Sequence, residues 1–224
     1  MPFAASTLLD RLGRPGDLRL GLSPRGGHPT LPTGVEALDR MLGGGLPRGR
    51  LVELTGRRST GRTGLACAIA ARATRHGEVV GWVDPTDALD PETVMTTGIA
   101  PTRVLWVRPR TEHVAPKAAE YLLGAGGFGL VVLDLAEAAP HLRIPWPRLT
   151  RAAERTRTTF LVLAPERRAG SYAALGLELS ERRAHWSRGP GRPTLLDGVT
   201  AALTVARDRL GVPGRRLTVR HACA

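Results

Sequence analysis

The chain has 224 residues, a formal net charge of +12 and a hydrophobic share of 42%. That length suits one domain with a small appendage and a real core, and the apolar share excludes a disordered chain. Aromatics make up only 4%, so aliphatics and alanine must fill the core, and the excess of base points to a polyanionic partner, nucleic acid first. Of 32 basic residues only Lys117 is lysine, as GC-rich codons would produce. Codon bias accounts for arginine over lysine and not for the excess over acid. Cys67 and Cys223 give no disulfide framework, Cys67 reading as a small buried hydrophobe, and His221 with Cys223 is too little for a metal site. The N-terminus lacks a continuous apolar core of the secretory kind and no run approaches transmembrane length, so the cytoplasm is the expected compartment.

In chain order, residues 4–12 read as a short amphipathic helix with Leu8, Leu9 and Leu12 on one face, a candidate partner-docking helix. Packing on the chain's own core is the equal alternative. Residues 13–33 are rich in Gly and Pro and read as a linker. Helical spacing of Val35, Leu38 and Leu42 predicts a helix over 34–42, and the glycines at 43, 44, 45 and 49 turn the chain into a strand at 51–55. A helix at 65–72 follows. Strands at 79–83, 104–107, 130–133 and 160–164 then alternate with helices at 91–98, 114–123 and 149–156. Continuous apolar strands separated by helices mean a parallel sheet buried on both faces. After Pro165 the pattern changes to strands at 175–183, 199–207 and 216–220 with no helix between them, an antiparallel extension. The expected division is 1–30 as helix and linker, 31–220 as an α/β core and 221–224 as tail.

One stretch carries chemistry. Gly56, Gly61 and Thr63 stand at the spacing of a phosphate-binding P-loop between a strand and a helix, but the lysine of that motif is Arg62. Backbone N–H groups of such a loop and the following helix N-terminus hold phosphates. Thr63 can reach a magnesium ion, and Asp134, ending an apolar strand, has the form of its carboxylate partner. A planar guanidinium does not fill the slot of an ammonium between phosphates.

Residues 31–39 (Leu-Pro-Thr-Gly-Val-Glu-Ala-Leu-Asp) and 42–50 (Leu-Gly-Gly-Gly-Leu-Pro-Arg-Gly-Arg) closely resemble the opening of the RecA recombinase core. The resemblance runs on through the loop at 56–65, then 83–91 (Val-Asp-Pro-Thr-Asp-Ala-Leu-Asp-Pro) and 129–134 (Gly-Leu-Val-Val-Leu-Asp). It covers 30–135 well and the remainder loosely, and it implies a RecA-like P-loop core with a mainly parallel sheet. The departures are specific. Where the family pattern has a catalytic glutamate this chain has Thr86, and where it has an adenine-stacking tyrosine this chain has Thr93. Little length remains for the two DNA-gripping loops, and the separate C-terminal domain has no counterpart in these residues. With Arg62, these departures make Gly56, Gly61, Arg62, Thr63 and Asp134 read as a vestigial nucleotide site, with no catalytic residue, no cofactor and no metal expected.

Two diverged RecA-like families fit a short core of this kind, the mutagenesis accessory protein ImuA and the cell-division inhibitor SulA. The intact opening signature resembles ImuA more. That resemblance implies a regulator of the SOS response that does not hydrolyse ATP, with RecA, an ImuB-type polymerase homologue and an error-prone replicative-type polymerase as partners. An active DNA-dependent ATPase using Arg62 and Asp87, or a SulA-like inhibitor, is the alternative. Arg148, Arg151 and Arg155 share one helical face, and with Arg167 and Arg168 they read as a phosphate- or partner-contacting patch, against the plainer reading of a solvated face. Arg207 and Arg209 match a RecA segment that reaches a neighbouring subunit, or guard an exposed edge strand.

Overall fold

The computed structural model describes residues 29–222 apart from 140, 188–194, 210 and 212. The predicted helix carrying Leu8, Leu9 and Leu12 lies outside the described residues. The elements run β1 (Thr30–Leu31), α1 (Glu36–Leu42), β2 (Leu46–Pro47), β3 (Leu51–Gly56), α2 (Arg62–Arg75), β4 (Val79–Val83), α3 (Pro91–Thr96) and β5 (Val104–Val107). They continue with α4 (Ala115–Ala125), β6 (Phe128–Asp134), α5 (Trp146–Thr156), β7 (Thr159–Ala164), β8 (Leu175–Ser187), β9 (Leu195–Asp208) and β10 (Arg216–Ala222).

β1 and β2 form a small antiparallel ribbon where the sequence pattern indicates only linker and turn. The other strands form one eight-stranded sheet in the order β10-β9-β8-β3-β7-β6-β4-β5. β8, β3, β7, β6, β4 and β5 run parallel, and β9 is antiparallel to both β8 and β10. This is the expected α/β core with an antiparallel extension. The hairpin arms are longer than the sequence pattern indicated, because β8 and β9 pair as far as Ser187 and Leu195, through register shifts that include one at Glu181 (φ 50°).

Alternation along each strand divides the core into two layers. Val52 and Leu54 of β3, Val80 and Trp82 of β4 and Leu161 and Leu163 of β7 pack under α1 and α2. Leu51, Val131, Leu133, Phe160 and Val162 face α4 and α5 on the other side. The middle strands are therefore apolar at nearly every position, since both faces are dry. One exception is Glu53, fully buried in β3, whose Oε1 accepts the backbone N–H groups of Arg168 (2.6 Å) and Ala169 (2.8 Å). A similar polar tie shapes the entrance to α1: Asp39 Oδ1 accepts from Thr33 N and Thr33 Oγ1, each at 2.7 Å. Among the described residues, no helix is long and apolar enough to cross a membrane.

Candidate functional site

The loop between β3 and α2 sits at the C-terminal end of the parallel strands, where neighbouring strand ends and a helix N-terminus converge. Its backbone takes forms that few residues adopt. Gly56 has φ 156°, and a side chain there would meet Thr60 Oγ1 at 2.6 Å and the Leu179 carbonyl at 2.9 Å. Ser59 (φ 61°) and Gly61 (φ 90°) lie in the left-handed region. No side chain caps the start of α2, so its first N–H groups open toward the loop, the geometry that receives anions.

Arg62 does not point that way. It is 5% exposed, and its Nη1 donates to the carbonyls of Gly56 and, at 2.9 Å, of Ala164. The guanidinium thus lies under the loop and joins the C-terminal ends of β3 and β7. Burial pushes its pKa down from the usual arginine value, against the pull of Asp134 and Glu137, and its Nε is buried without a hydrogen-bond partner. Thr63 is half-buried on the first turn of α2.

Asp134 is 2% exposed and its Oδ1 accepts the N–H of Ala136 at 2.9 Å. Burial raises its pKa to about 6; Asp84 and Glu137 add to the rise, while the Ala136 N–H and Arg62 oppose it. Above the loop, Arg58 forms a two-point ion pair with Glu137, its Nε lying 3.0 Å from each carboxylate oxygen. The Arg58 hydrogen bonds hold the Glu137 carboxyl below its usual range. Arg182 of β8 donates to the Arg58 carbonyl at 3.2 Å. Beside this pair a cleft of about 900 Å³ opens between the loop, residues 165–167 and β8, with Arg57, Arg167 and Glu181 in its wall.

The end of β4 is organised differently. Asp84 is buried and accepts the N–H groups of Ala88 (3.0 Å) and Leu89 (2.9 Å), so both its oxygens shape the turn. Thr86 Oγ1 is buried without a partner, and Asp87 faces Arg108 at 3.4 Å. Thr93 lies on α3. Among the described residues, no three His, Cys, Asp or Glu groups come together as a metal-binding set.

The family model described as the RecA N-terminal domain matches residues 4–144. The chain belongs to the RecA family. Over 144 residues it is 37% identical to Protein RecA of Arthrobacter sp. (strain FB24), the match covering 63% of this chain and 41% of that protein. With Protein RecA of Acidothermus cellulolyticus the identity is 39% over 134 residues, 59% of this chain and 39% of that one. The chain thus matches about two fifths of the length of these RecA relatives. Among solved structures, the RadB recombinase superposes with a TM-score of 0.65 at 21% identity, covering 85% of this chain and 96% of that one, a likeness of fold.

Gly56, Gly61, Arg62, Thr63 and Asp134 of this RecA-type core therefore belong to one end of the sheet. The seven arginines singled out from sequence do not form one surface. Arg148, Arg151 and Arg155 line a groove between α4 and α5, while exposed Arg167 lines the cleft beside the loop. Arg168 turns inward and donates to the Leu142 carbonyl at 3.0 Å. Arg207 donates to the Ala173 carbonyl at 2.8 Å and Arg209 to that of Ser171, tying β9 to the segment before β8.

Sequence reading missed Glu53, the Arg58–Glu137 pair, and Lys117 with Tyr121. A lone acid inside an apolar strand was the signal for Glu53. The (i, i+4) spacing of Lys117 and Tyr121 on α4 was the signal for that pair. Nothing local pairs residues 58 and 137, which the sheet topology alone brings together.

Proposed function

We propose that this RecA-family chain is a non-hydrolysing accessory protein of the DNA damage response, serving SOS-induced translesion mutagenesis by engaging RecA or a translesion polymerase complex. The observation that carries the reading is Arg62. The cation at the P-loop's lysine position is spent on the Gly56 and Ala164 carbonyls, facing the protein instead of a phosphate. Thr86 supports it by offering a hydroxyl where hydrolysis needs a carboxylate, and Asp87 is directed to Arg108.

The loop fits part of its family ligand. Its backbone and the uncapped start of α2 suit a phosphate, and Thr63 with Asp134 supplies oxygens of the kind a divalent cation takes. A bound nucleotide with magnesium would supply phosphoryl-transfer chemistry there; what these residues lack is a cation aimed at the phosphates and a base to activate water. A retained fold without these groups suits a protein that presents a RecA-like surface to partners.

Steady-state ATP hydrolysis with and without single-stranded DNA tests the reading, with background rates expected in both. Turnover that disappears in Thr63→Ala overturns it and makes the chain an ATPase. Partner engagement is read separately, as a change in RecA filament assembly on single-stranded DNA, which Leu8→Asp with Leu9→Asp should weaken when the segment at 4–12 is the docking element.

A further inference from the structure

The mouth of the P-loop carries a contact that the motif itself does not require. Arg58, on the loop, turns its guanidinium onto Glu137, with Nε 3.0 Å from each carboxylate oxygen and Nη2 bonded to Oε2 as well. Both ends of this contact are fixed. Arg182 Nη1 of β8 donates to the Arg58 carbonyl at 3.2 Å, and the next residue, Ser59, has a left-handed backbone (φ 61°). Glu137 projects from the turn after β6, in which Leu135 N donates to the Leu163 carbonyl and Ala139 N to Glu112 Oε2, each at 2.8 Å. Leu135 and Ala138, on either side, are buried. The acid is therefore presented ready placed, on a turn that cannot swing.

We propose that this pair is an autoinhibitory strap: Glu137 withholds Arg58 from phosphate and sets a carboxylate beside the loop that would receive it. This rests on the reading of the loop given above, a phosphate-shaped backbone whose Arg62 faces inward, and adds how that loop is kept shut. Stability does not explain the pair. The Arg58 side chain is 80% exposed, and ion pairs so open to water add little to a fold. What the pair decides is where two charges stand. With Arg62 spent on the Gly56 and Ala164 carbonyls, Arg58 is a second cation on the loop, and the carboxylate occupies its Nε–Nη2 edge, which grips oxyanions side-on. The Glu137 charge is also felt at Arg62 and Asp134, so it opposes an anion where the loop would take one.

Isothermal titration calorimetry of magnesium tripolyphosphate into the full chain tests this. Glu137→Gln keeps the length of the side chain, removes its charge and frees the guanidinium. It should bind about tenfold more tightly than the parent, the worth of one charge-assisted contact. Glu178→Gln, at another acid lining the same cleft, makes the same charge change and should gain about twofold or less. Adding Arg58→Gln to Glu137→Gln should remove most of the gain, since the freed cation is what the ligand meets. Three results overturn the proposal. The first is no gain in Glu137→Gln, undetectable binding included, which with a lowered urea midpoint would make the pair merely structural. The second is an equal gain in Glu178→Gln, which would reduce the effect to overall charge. The third is a gain that survives Arg58→Gln. Because binding is read and not turnover, ATP hydrolysis by the parent would sink the functional reading and leave this test standing. Circular dichroism of each variant verifies the fold.

Discussion

Asp134→Asn isolates the cost of keeping a carboxylate at the sheet end. In the native chain burial holds the Asp134 proton up to about 6, against an ordinary 3.8. The native state therefore binds this proton more tightly than the unfolded chain does. Below about pH 4 both states are protonated and the group costs nothing. As pH rises to about 6 the unfolded chain ionises first, and above that the native state bears the full difference, about 3 kcal/mol. Stability from this group is thus present at acid pH and lost as pH rises through the native value. Asparagine keeps the oxygen that accepts from Ala136 and carries no charge against Asp84 and Glu137. Urea unfolding followed by tryptophan fluorescence should show the variant and parent alike near pH 4, and the variant more stable by about 2–3 kcal/mol at neutral pH. A difference that does not change with pH, or a variant less stable at neutral pH, would refute the reasoning.

Arg62→Lys shortens the side chain and takes the Nη1 donor away from the Gly56 and Ala164 carbonyls, so urea unfolding should register a loss of about 1–3 kcal/mol, and a fluorescent ATP analogue with magnesium should bind more tightly than to the parent. Unchanged stability together with unchanged binding would mean that Arg62 neither ties the strands nor withholds a cation. Glu53→Ala leaves the buried N–H groups of Arg168 and Ala169 without acceptors, so the thermal midpoint should drop by about 5–15 °C; a drop of a degree or less would contradict the assigned bonds. Burial raises the Cys67 thiol to about 12, so in a Cys223→Ser chain an aromatic disulfide reagent at mildly alkaline pH should titrate no thiol until denaturant is added; prompt reaction of the folded chain would place Cys67 elsewhere.

The layers of the fold were legible because burial writes itself into residue type. β3, β4, β6 and β7 are apolar runs and their helices are periodic, so alternation and length located them. Reach was harder. Beyond Ser180, β8 and β9 pair with each other, where exposed Arg182 and Arg183 and half-buried His185 carry no apolar alternation. At the site, the loop's glycines and Arg62 were visible as a motif, but the direction of the Arg62 side chain was not. It depends on two carbonyls, one of them 102 residues further along the chain. The arginines illustrate the same limit: helical spacing puts Arg148, Arg151 and Arg155 on one face, whereas Arg167 and Arg168, which the resemblance adds to them, lie apart from that face, with Arg168 turned inward.

The bond from Arg62 to two strand ends also bears on motion. In a site that alternates between states, a bound group comes and goes and neighbouring strand ends can shift with it. Here one side chain clasps the ends of β3 and β7 from inside, so parting them means breaking two charge-assisted bonds at once in dry surroundings. Such a latch favours a single resting shape over a cycle of two. On the function proposed above, that rigidity lets the sheet end act as a template against which partners align.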